Sequence, residues 1–541
     1  MSEATYPLGI CFAFQGISAA LMGKWAMSVG PRMSMAAASL CFGGGWALAG
    51  LGVDMHSLPL MYLGYGVLGG AGVGLAYTPP VQTLISWFPD KKGLASGLTI
   101  AGFGSGALVF TPMANNLMDY FSKMPTYLGT MDQVSTVTKD GKLFADAAGT
   151  LTEVVQANAA DLAKLPYDLA EGLYVVGSGS TGAATTLATC GGIYGAAMLA
   201  AAFLIRTPHP TYQPAGWDPN AAPAAGSTPP APKLAGNVSP DTVMLTPQFY
   251  LLASTFFCVA CGGMGIMSVA KPMMGEVFSG ALPAVVTAAF ASMYVQMLAG
   301  SNLTGRIAWA AFSDRFGRRT TFNMFTMGSI PLYLAIPYSV QQVVETGSAV
   351  PLGMFIGSTL VAISFMGGVF SILPAYEADL FGAKYVGPIH GRMLLGSSAA
   401  ALAGPSVLLT LRSRSEADAI TGLLEKVQPE RFQETFGVGM DQAPSLIESK
   451  ALTIGKLMDM VPAGTVDPTP FIYDSTMYTM AGLMAVAAVS HSMVRPVSSK
   501  HFEGAAVAAE ALAAPGPFAE GGMPTSMASH MIPAAALPRV Q

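Results

Sequence analysis

The sequence predicts an all-α polytopic membrane protein, a transporter-like bundle of transmembrane helices arranged in two halves. Hydrophobic residues make up 52% of its 541 residues and charged ones only 11%, against roughly a quarter charged in an ordinary soluble domain. Apolar stretches of the length that crosses a bilayer as a helix, about 20 residues, recur eleven times. A proline-rich segment divides the chain, and the helix patterns on its two sides resemble each other.

The stretches cover 6–28, 33–53, 60–87, 94–117 and 185–206, then 247–274, 282–311, 321–340, 350–375, 391–411 and 472–494. Lipid offers no partners to open backbone groups, so such segments must be helices that close their own hydrogen bonds. Residues 1–206 form the first half and 247–495 the second. Between Thr207 and Pro240 stand nine prolines among Ala, Gly, Ser and Asn, a composition that favours an extended, disordered linker; the linker is taken as 207–246 and a Pro/Ala/Gly tail, also disordered, as 496–541. Polar insertions at 118–184 and 412–471 each precede the last helix of their half.

A shift of about 287 residues lays Gly30-Pro31-Arg32 on Gly317-Arg318-Arg319 and the helix near 185 on that near 472. Such duplication is common in transporters, whose sites lie between the repeats. Lys24 with Arg32, Lys91 with Lys92, Arg315 with Arg318 and Arg319, and Lys384 with Arg392 fall on one side of the bundle. By the positive-inside rule that side is the cytosol, with the linker and tail; the acid-rich insertions then face outward.

Several function classes drop out. A net charge of -5 over this length suggests no nucleic-acid surface. Cys11, Cys41, Cys190, Cys258 and Cys261 all lie in apolar spans, where a thiol packs as a small hydrophobe; Cys258-Val-Ala-Cys261 has no second pair to make a metal site. The Gly70-x-Gly72-x-Gly74 run sits inside a span without the flanking strand of a nucleotide loop. Glycines four apart (Gly66, Gly70, Gly74; Gly102, Gly106) instead let helices approach closely. The spans hold no cluster of His, Asp or Ser that an embedded enzyme would need, and no cofactor is implied.

Ser313-Asp314-Arg315-Phe316-Gly317-Arg318-Arg319 joins two apolar helices and resembles the cytosolic loop signature of the major facilitator superfamily. Its acid beside guanidinium groups suits a charge network that breaks and reforms as the halves rock; topogenic charge alone is the plainer reading. The first-half copy keeps Gly30 and Arg32 but has Met27 where the acid would stand. Gly69 to Pro80, Trp87-Phe88-Pro89-Asp90-Lys91-Lys92-Gly93 running on to Gly106, and Leu373-Pro374-Ala375-Tyr376-Glu377-Ala378-Asp379-Leu380-Phe381-Gly382 look like the oxalate/formate antiporter family within the monocarboxylate-transporter-like group. The likeness covers nearly all the membrane segments and none of the insertions, linker or tail. In the superfamily the signature loop follows the second helix, whereas here it follows the first apolar segment. The resemblance thus implies eleven visible helices, the family's first apparently missing, and a lateral gap beside 6–28 and 94–117.

Ionisable residues inside a membrane mark function by default, which singles out Arg306. It lies eight residues before Asp314, about 12 Å into the bilayer at 1.5 Å per residue, where a guanidinium can hold a carboxylate by two bonds. Asn302 is one turn away on the same face. Both match the family's Asn-x-x-x-Arg, whose arginine is the substrate-binding cation; snorkelling or bonding to structural carbonyls is the alternative for Arg306. The family's dicarboxylate carriers add a lysine where this chain has Ser397, and no Lys or Arg occurs from Met393 to Leu411. One cation suits a monoanion such as formate, lactate or pyruvate better than oxalate. Tyr77, Tyr294, Gln296, Met366 and Phe370 are candidates to line the cavity, with core packing as the bland alternative; Tyr77, Phe370 and Ser397 join Arg306 and Asn302 in the predicted site.

Asp314, Arg315, Gly317, Arg318, Arg319 and Asp379 form the predicted conformational gate. Glu377 is expected in that gate or in a solvated loop, and His390 and Arg392 in topogenic or loop roles. The expectation is a monomeric carrier of small organic anions in a lipid bilayer, working by exchange or uniport, with proton symport next and a membrane receptor or scaffold as a remote alternative.

Overall fold

The computed structural model describes residues 6–139, 142–147, 150–158, 162, 169–209, 211–215, 236–448, 451–462 and 464–503. Its long helices are α1 (Tyr6–Asp54), α2 (Leu58–Trp87), α3 (Lys92–Phe121), α4 (Ala183–Leu204), α5 (Pro247–Phe278), α6 (Ala288–Phe316), α7 (Arg318–Thr346), α8 (Val350–Phe381), α9 (Val386–Leu424) and α10 (Asp474–Ser492). Seven continuous helical stretches among the described residues are long and apolar enough to cross a membrane, and the stretch within α1, Pro7–Asp54, is one of them.

That helix is broken at Gly30 (φ 81, ψ 166), ahead of Pro31, and 6–29 and 31–54 run in opposite directions. As α2 advances from Gly66 to Gly74 it meets Ile10, then Cys11, then Ser18, whereas from Gly52 back to Phe42 the other arm meets Met61, then Gly72. Gly317, between α6 and α7, has nearly the same backbone (φ 88, ψ 150), and it is the residue that the internal repeat lays on Gly30. This region of φ/ψ space is essentially reserved for glycine. The repeat is therefore visible as one tight reversal built twice.

A Cβ at Gly70 or Gly74 would collide with the backbone of Cys11 or of Gln15, so these glycines serve the close approach expected of them. Gly102 and Gly106 do not: nothing lies within 4 Å of where their Cβ would be. The second half is the denser. Of the apolar stretch in α5, 67% is buried, but of that in α4 only 17%. α5 packs on α6, α9 and α10, whereas in the first half the side of α3 around Val109, Thr111 and Pro112 is exposed.

The first insertion departs from the all-α reading. Tyr127–Gly129, Thr136–Lys139, Lys142–Ala147, Thr150–Ala157 and Gly172–Val175 (β1 to β5) form an antiparallel sheet in the order β1-β5-β4-β3-β2, with Ala145, Val154 and Leu173 as its small core. Thr, Val, Leu and Tyr alternating with polar residues favour a half-buried strand. In the second insertion α9 runs on from 411 to Leu424, and Arg412 there binds Glu276 of α5 at 2.7 Å and Glu416 at 2.7 Å.

The two halves meet along two seams. In one, residues 6–29 of α1 lie on α9, with Gly16 against Ser398, Gly23 against Pro388 and Gly391 against the carbonyl of Ala19. In the other, α3 lies on α6, with Gly97 against Ala310 and the carbonyl of Arg306. The ends of the linker and tail are ordered here: Val238 donates to the Phe381 carbonyl and Glu503 to that of Asn237. The remainder of the predicted disorder, 216–235 and 504–541, lies outside the described residues.

Strain at the reversal gives a stability test. Gly317→Ala should cost about 1–3 kcal/mol and lower the thermal midpoint of the detergent-purified protein. Gly275→Ala, in helical backbone with open space around it, should leave that midpoint unchanged or slightly raised.

Candidate functional site

Where the α3–α6 seam reaches mid-helix it holds Arg306, which is 7% exposed. The side-chain oxygen of Asn302 accepts from its Nε at 3.1 Å, and the carbonyl of Ile100, across the seam, from its Nη1 at 2.8 Å. The Asn302 amide leans in turn on the Ile363 carbonyl at 3.4 Å. The ring of Phe370 lies under the guanidinium, 5.7 Å from centroid to Cζ. No carboxylate reaches Arg306 among the described residues. A buried cation with only neutral acceptors has an unmet demand for an anion.

Toward the end of the bundle that carries the basic loops, the same seam holds a charge network. Asp314 accepts from the backbone N–H groups of Gly93 at 2.9 Å and Leu94 at 2.8 Å. These belong to the first turn of α3, whose opening N–H groups have no partner within their own helix and whose dipole favours an anion. A side chain of the second half thus caps a helix of the first. Arg318 bridges Asp314 at 2.6 Å to Asp379 at 3.2 Å, and Lys92 of the first half binds Asp379 at 2.9 Å.

Two acids and two bases alternate here; the Lys92–Asp379 pair and the Asp314 cap on α3 cross between the halves. A further crossing is made by Asp241 at the linker's end, which binds Lys24 of the first half and Arg392 of the second at 2.8 Å. The bonds from Lys24 and Arg392 hold its carboxyl below the ordinary carboxylate range.

Not every predicted gate residue joins. Arg315 is exposed, and its guanidinium lies over its own neighbour Phe316, because it sits on the outer face of the last turn of α6. Arg319 is exposed too and donates to the Ser492 carbonyl, tying α7 to α10 within the second half. Gly317 makes the reversal that brings Arg318 back onto Asp314. Lys92 and the first-turn amides of α3, read from sequence as topogenic charge and plain backbone, are the missing partners. The Lys91-Lys92-Gly93 run before an apolar helix was the available signal.

The predicted lining residues also divide. Tyr77 and Phe370 are buried in the seam region; Tyr77 makes an edge contact with Phe103 at 5.4 Å and borders a cavity of about 280 Å³ with Ile100, Thr99 and Met198. Ser397 is buried but donates to the Leu394 carbonyl of its own helix, so a hydroxyl that satisfies its own backbone stands where a second cation was sought. Tyr294 donates to Thr359 at 3.0 Å and Met366 packs on Gly263, as core residues do. Glu377 and His390 depart furthest from expectation: they are 0% and 1% exposed, and His390 Nδ1 lies 3.0 Å from Glu377 Oε1. Neither is a loop residue.

No family model matches the chain. It is similar to apicoplast pyruvate carrier 1 of Toxoplasma gondii, 26% identical over 431 residues, 75% of this chain and 68% of that protein. The oxalate:formate antiporter of Oxalobacter formigenes is 26% identical over 386 residues, 71% of this chain and 69% of that one. Among solved structures, that of a variant of the Escherichia coli fucose:proton symporter superposes with a TM-score of 0.54 at 10% identity, over 92% of this chain and 91% of that one. The outward conformation of this major facilitator transporter gives a TM-score of 0.51. Fold and relatives together make the chain an integral multi-pass membrane protein with the fold of the major facilitator transporters, similar in sequence to oxalate/formate antiporters and related carriers rather than to enzymes.

Proposed function

We propose that the protein is a secondary transporter of small organic carboxylates, binding one carboxylate at Arg306 and moving it by alternating access. The observation that carries this is a buried guanidinium held by Asn302 and the Ile100 carbonyl with no acidic partner among the described residues. Asn302 fixes the plane of the fork, Phe370 lies beneath it, and Tyr77 belongs to the same seam. Ser397 keeps its place in the proposal as the site of the absent second cation. A single cation neutralises a monoanion and leaves a dianion with one uncompensated buried charge. Formate, lactate or pyruvate therefore precedes oxalate as substrate on charge alone; of the two relatives' names, one carries pyruvate and the other both oxalate and formate.

The basic end is assigned to the cytosol by its Lys and Arg loops, with the linker 207–246 and the tail on that side and both insertions outside. The helical segments then count as eleven spans, α1 contributing two and equivalent to the family's second and third; the open side of α3 and α4 is where the family's first helix would pack. The gate comprises Asp314, Arg318, Asp379 and Lys92, hinged at Gly317, and the protein acts as a monomer. Exchange or uniport is the leading mode. Proton-coupled symport is the second, favoured by the buried Glu377 and His390 pair.

Two substitutions test this reading. Arg306→Lys keeps the charge but loses the planar fork; counterflow of labelled formate, lactate and pyruvate in proteoliposomes should fall at least about tenfold, about 1.4 kcal/mol. Unchanged kinetics in correctly inserted protein would refute the site.

Asp314→Asn removes the anion from the α3 terminus, an interaction worth up to about 2 kcal/mol when partly buried. It should slow turnover several-fold while leaving substrate affinity measurable. Normal turnover would reduce the loop to a topogenic signal.

A further inference from the structure

Glu377 stands four residues before the end of α8 and His390 four residues after the start of α9, so the pair lies one turn, about 6 Å, inside the basic end. One bond joins them, between Nδ1 and Oε1 at 3.0 Å. Among the described residues, Glu377 Oε2 and His390 Nε2 are both buried without a hydrogen-bond partner. Both residues belong to the second half, but the first half covers them. The Tyr77 ring stacks on the imidazole at 5.7 Å and 23°, with its own hydroxyl unpartnered among the described residues. The Gln82 side chain lies against Gly387, and the Ala19 carbonyl against Gly391.

The surrounding charges are committed elsewhere. Arg306 of α6 is held by Asn302 and Ile100; Lys92 of α3, Asp314 of α6, Arg318 of α7 and Asp379 of α8 bind one another. Lys24 of α1 and Arg392 of α9 bind Asp241. Lys384 and Tyr385, just before α9, bind Glu503. On α8 itself Tyr376 contacts His491 of α10, near Arg319. On α5, Glu276 is engaged at the far end with Arg412.

We propose that Glu377 and His390 form a proton-binding site, occupied while the halves are closed over it and emptied when the basic end opens. Closed, the pair is neutral with one proton shared along its hydrogen bond; an ionised carboxylate beside a neutral imidazole would leave an uncompensated buried charge. Open, water reaches both groups, and above about pH 6.5 hydrated Glu and His hold no proton between them. Closing therefore takes up one proton and opening releases one. By linkage, the ratio of closed to open carrier rises on the order of tenfold per pH unit of acidification, down to about pH 6.5, where the hydrated pair also holds one proton and the dependence levels off.

The proposal rests on the alternating-access reading, and its test separates the two. Ser28→Cys and Ser492→Cys place spin labels on exposed positions of opposite halves at the basic end, in a background free of the native cysteines. Distances between them are measured in nanodiscs from pH 5 to 8.5, with and without pyruvate. The native pair should shift toward the short-distance population with acid, by the stated slope. E377Q should lose the dependence above about pH 6.5. H390Q leaves a lone buried carboxyl and should keep the slope, now extending below that pH toward the ordinary carboxylate range. A closed-to-open ratio that ignores pH while pyruvate still shifts it, or E377Q titrating like the native pair, overturns the proton site alone. A single distance under every condition overturns alternating access as well.

Discussion

Asp314 accepts two backbone bonds from a helix that belongs to the other half, and much of the arrangement around it depends on that cap. The first turn of α3 has no cap of its own: Lys91 precedes it without a side-chain bond to the helix. In a medium poor in donors and acceptors an uncapped terminus is costly, so closing the halves supplies what α3 lacks. Arg318 and Lys92 hold the Asp314 and Asp379 side chains in place by ion pairs. The same approach brings the Ile100 carbonyl to Arg306 and Tyr77 to His390, so the seam that carries the cap also carries the proposed anion site and the cover of the buried pair.

The membrane architecture was legible because its cause is compositional: length and hydropathy fix helices in lipid with little help from tertiary context. Gly30 and Gly317 could be paired from sequence because a backbone conformation closed to other residues leaves a fixed letter at a fixed offset. Arg306, Asn302 and Asp314 were legible as polar residues in apolar surroundings. Lys92, Glu377 and His390 were not, because each stands at a helix end, where sequence distance from the loop does not say whether the loop is covered. Only the other half decides their burial, as when Tyr77, about 300 residues earlier in the chain, covers His390. The sheet in the first insertion was missed for another reason, since hydropathy scanning is blind to alternation in short polar segments.

Arg315 and Arg319 show the limit of a motif. Four basic or acidic residues crowd into one short loop, yet a helix end presents only one face to the partner half. Asp314 in the last turn of α6 and Arg318, returned onto it by the Gly317 reversal, face the partner half, while Arg315 and Arg319 sit outside the network. The signature specifies enough charge for a network, and helical geometry selects which members enter it.

The linker's last residues have a mechanical consequence. Asn237 and Val238 are bonded to the end of α8 and to Glu503, and Asp241 is held to Arg392, so this strip is stitched to the second half at several points. Among the described residues its ion-pair tie to the first half is one exposed pair, with Lys24. The strip from Asn237 to Asp241 is thus, in its bonding, a part of the second half, and in the proposed alternating access it travels with that half and gives up one surface ion pair.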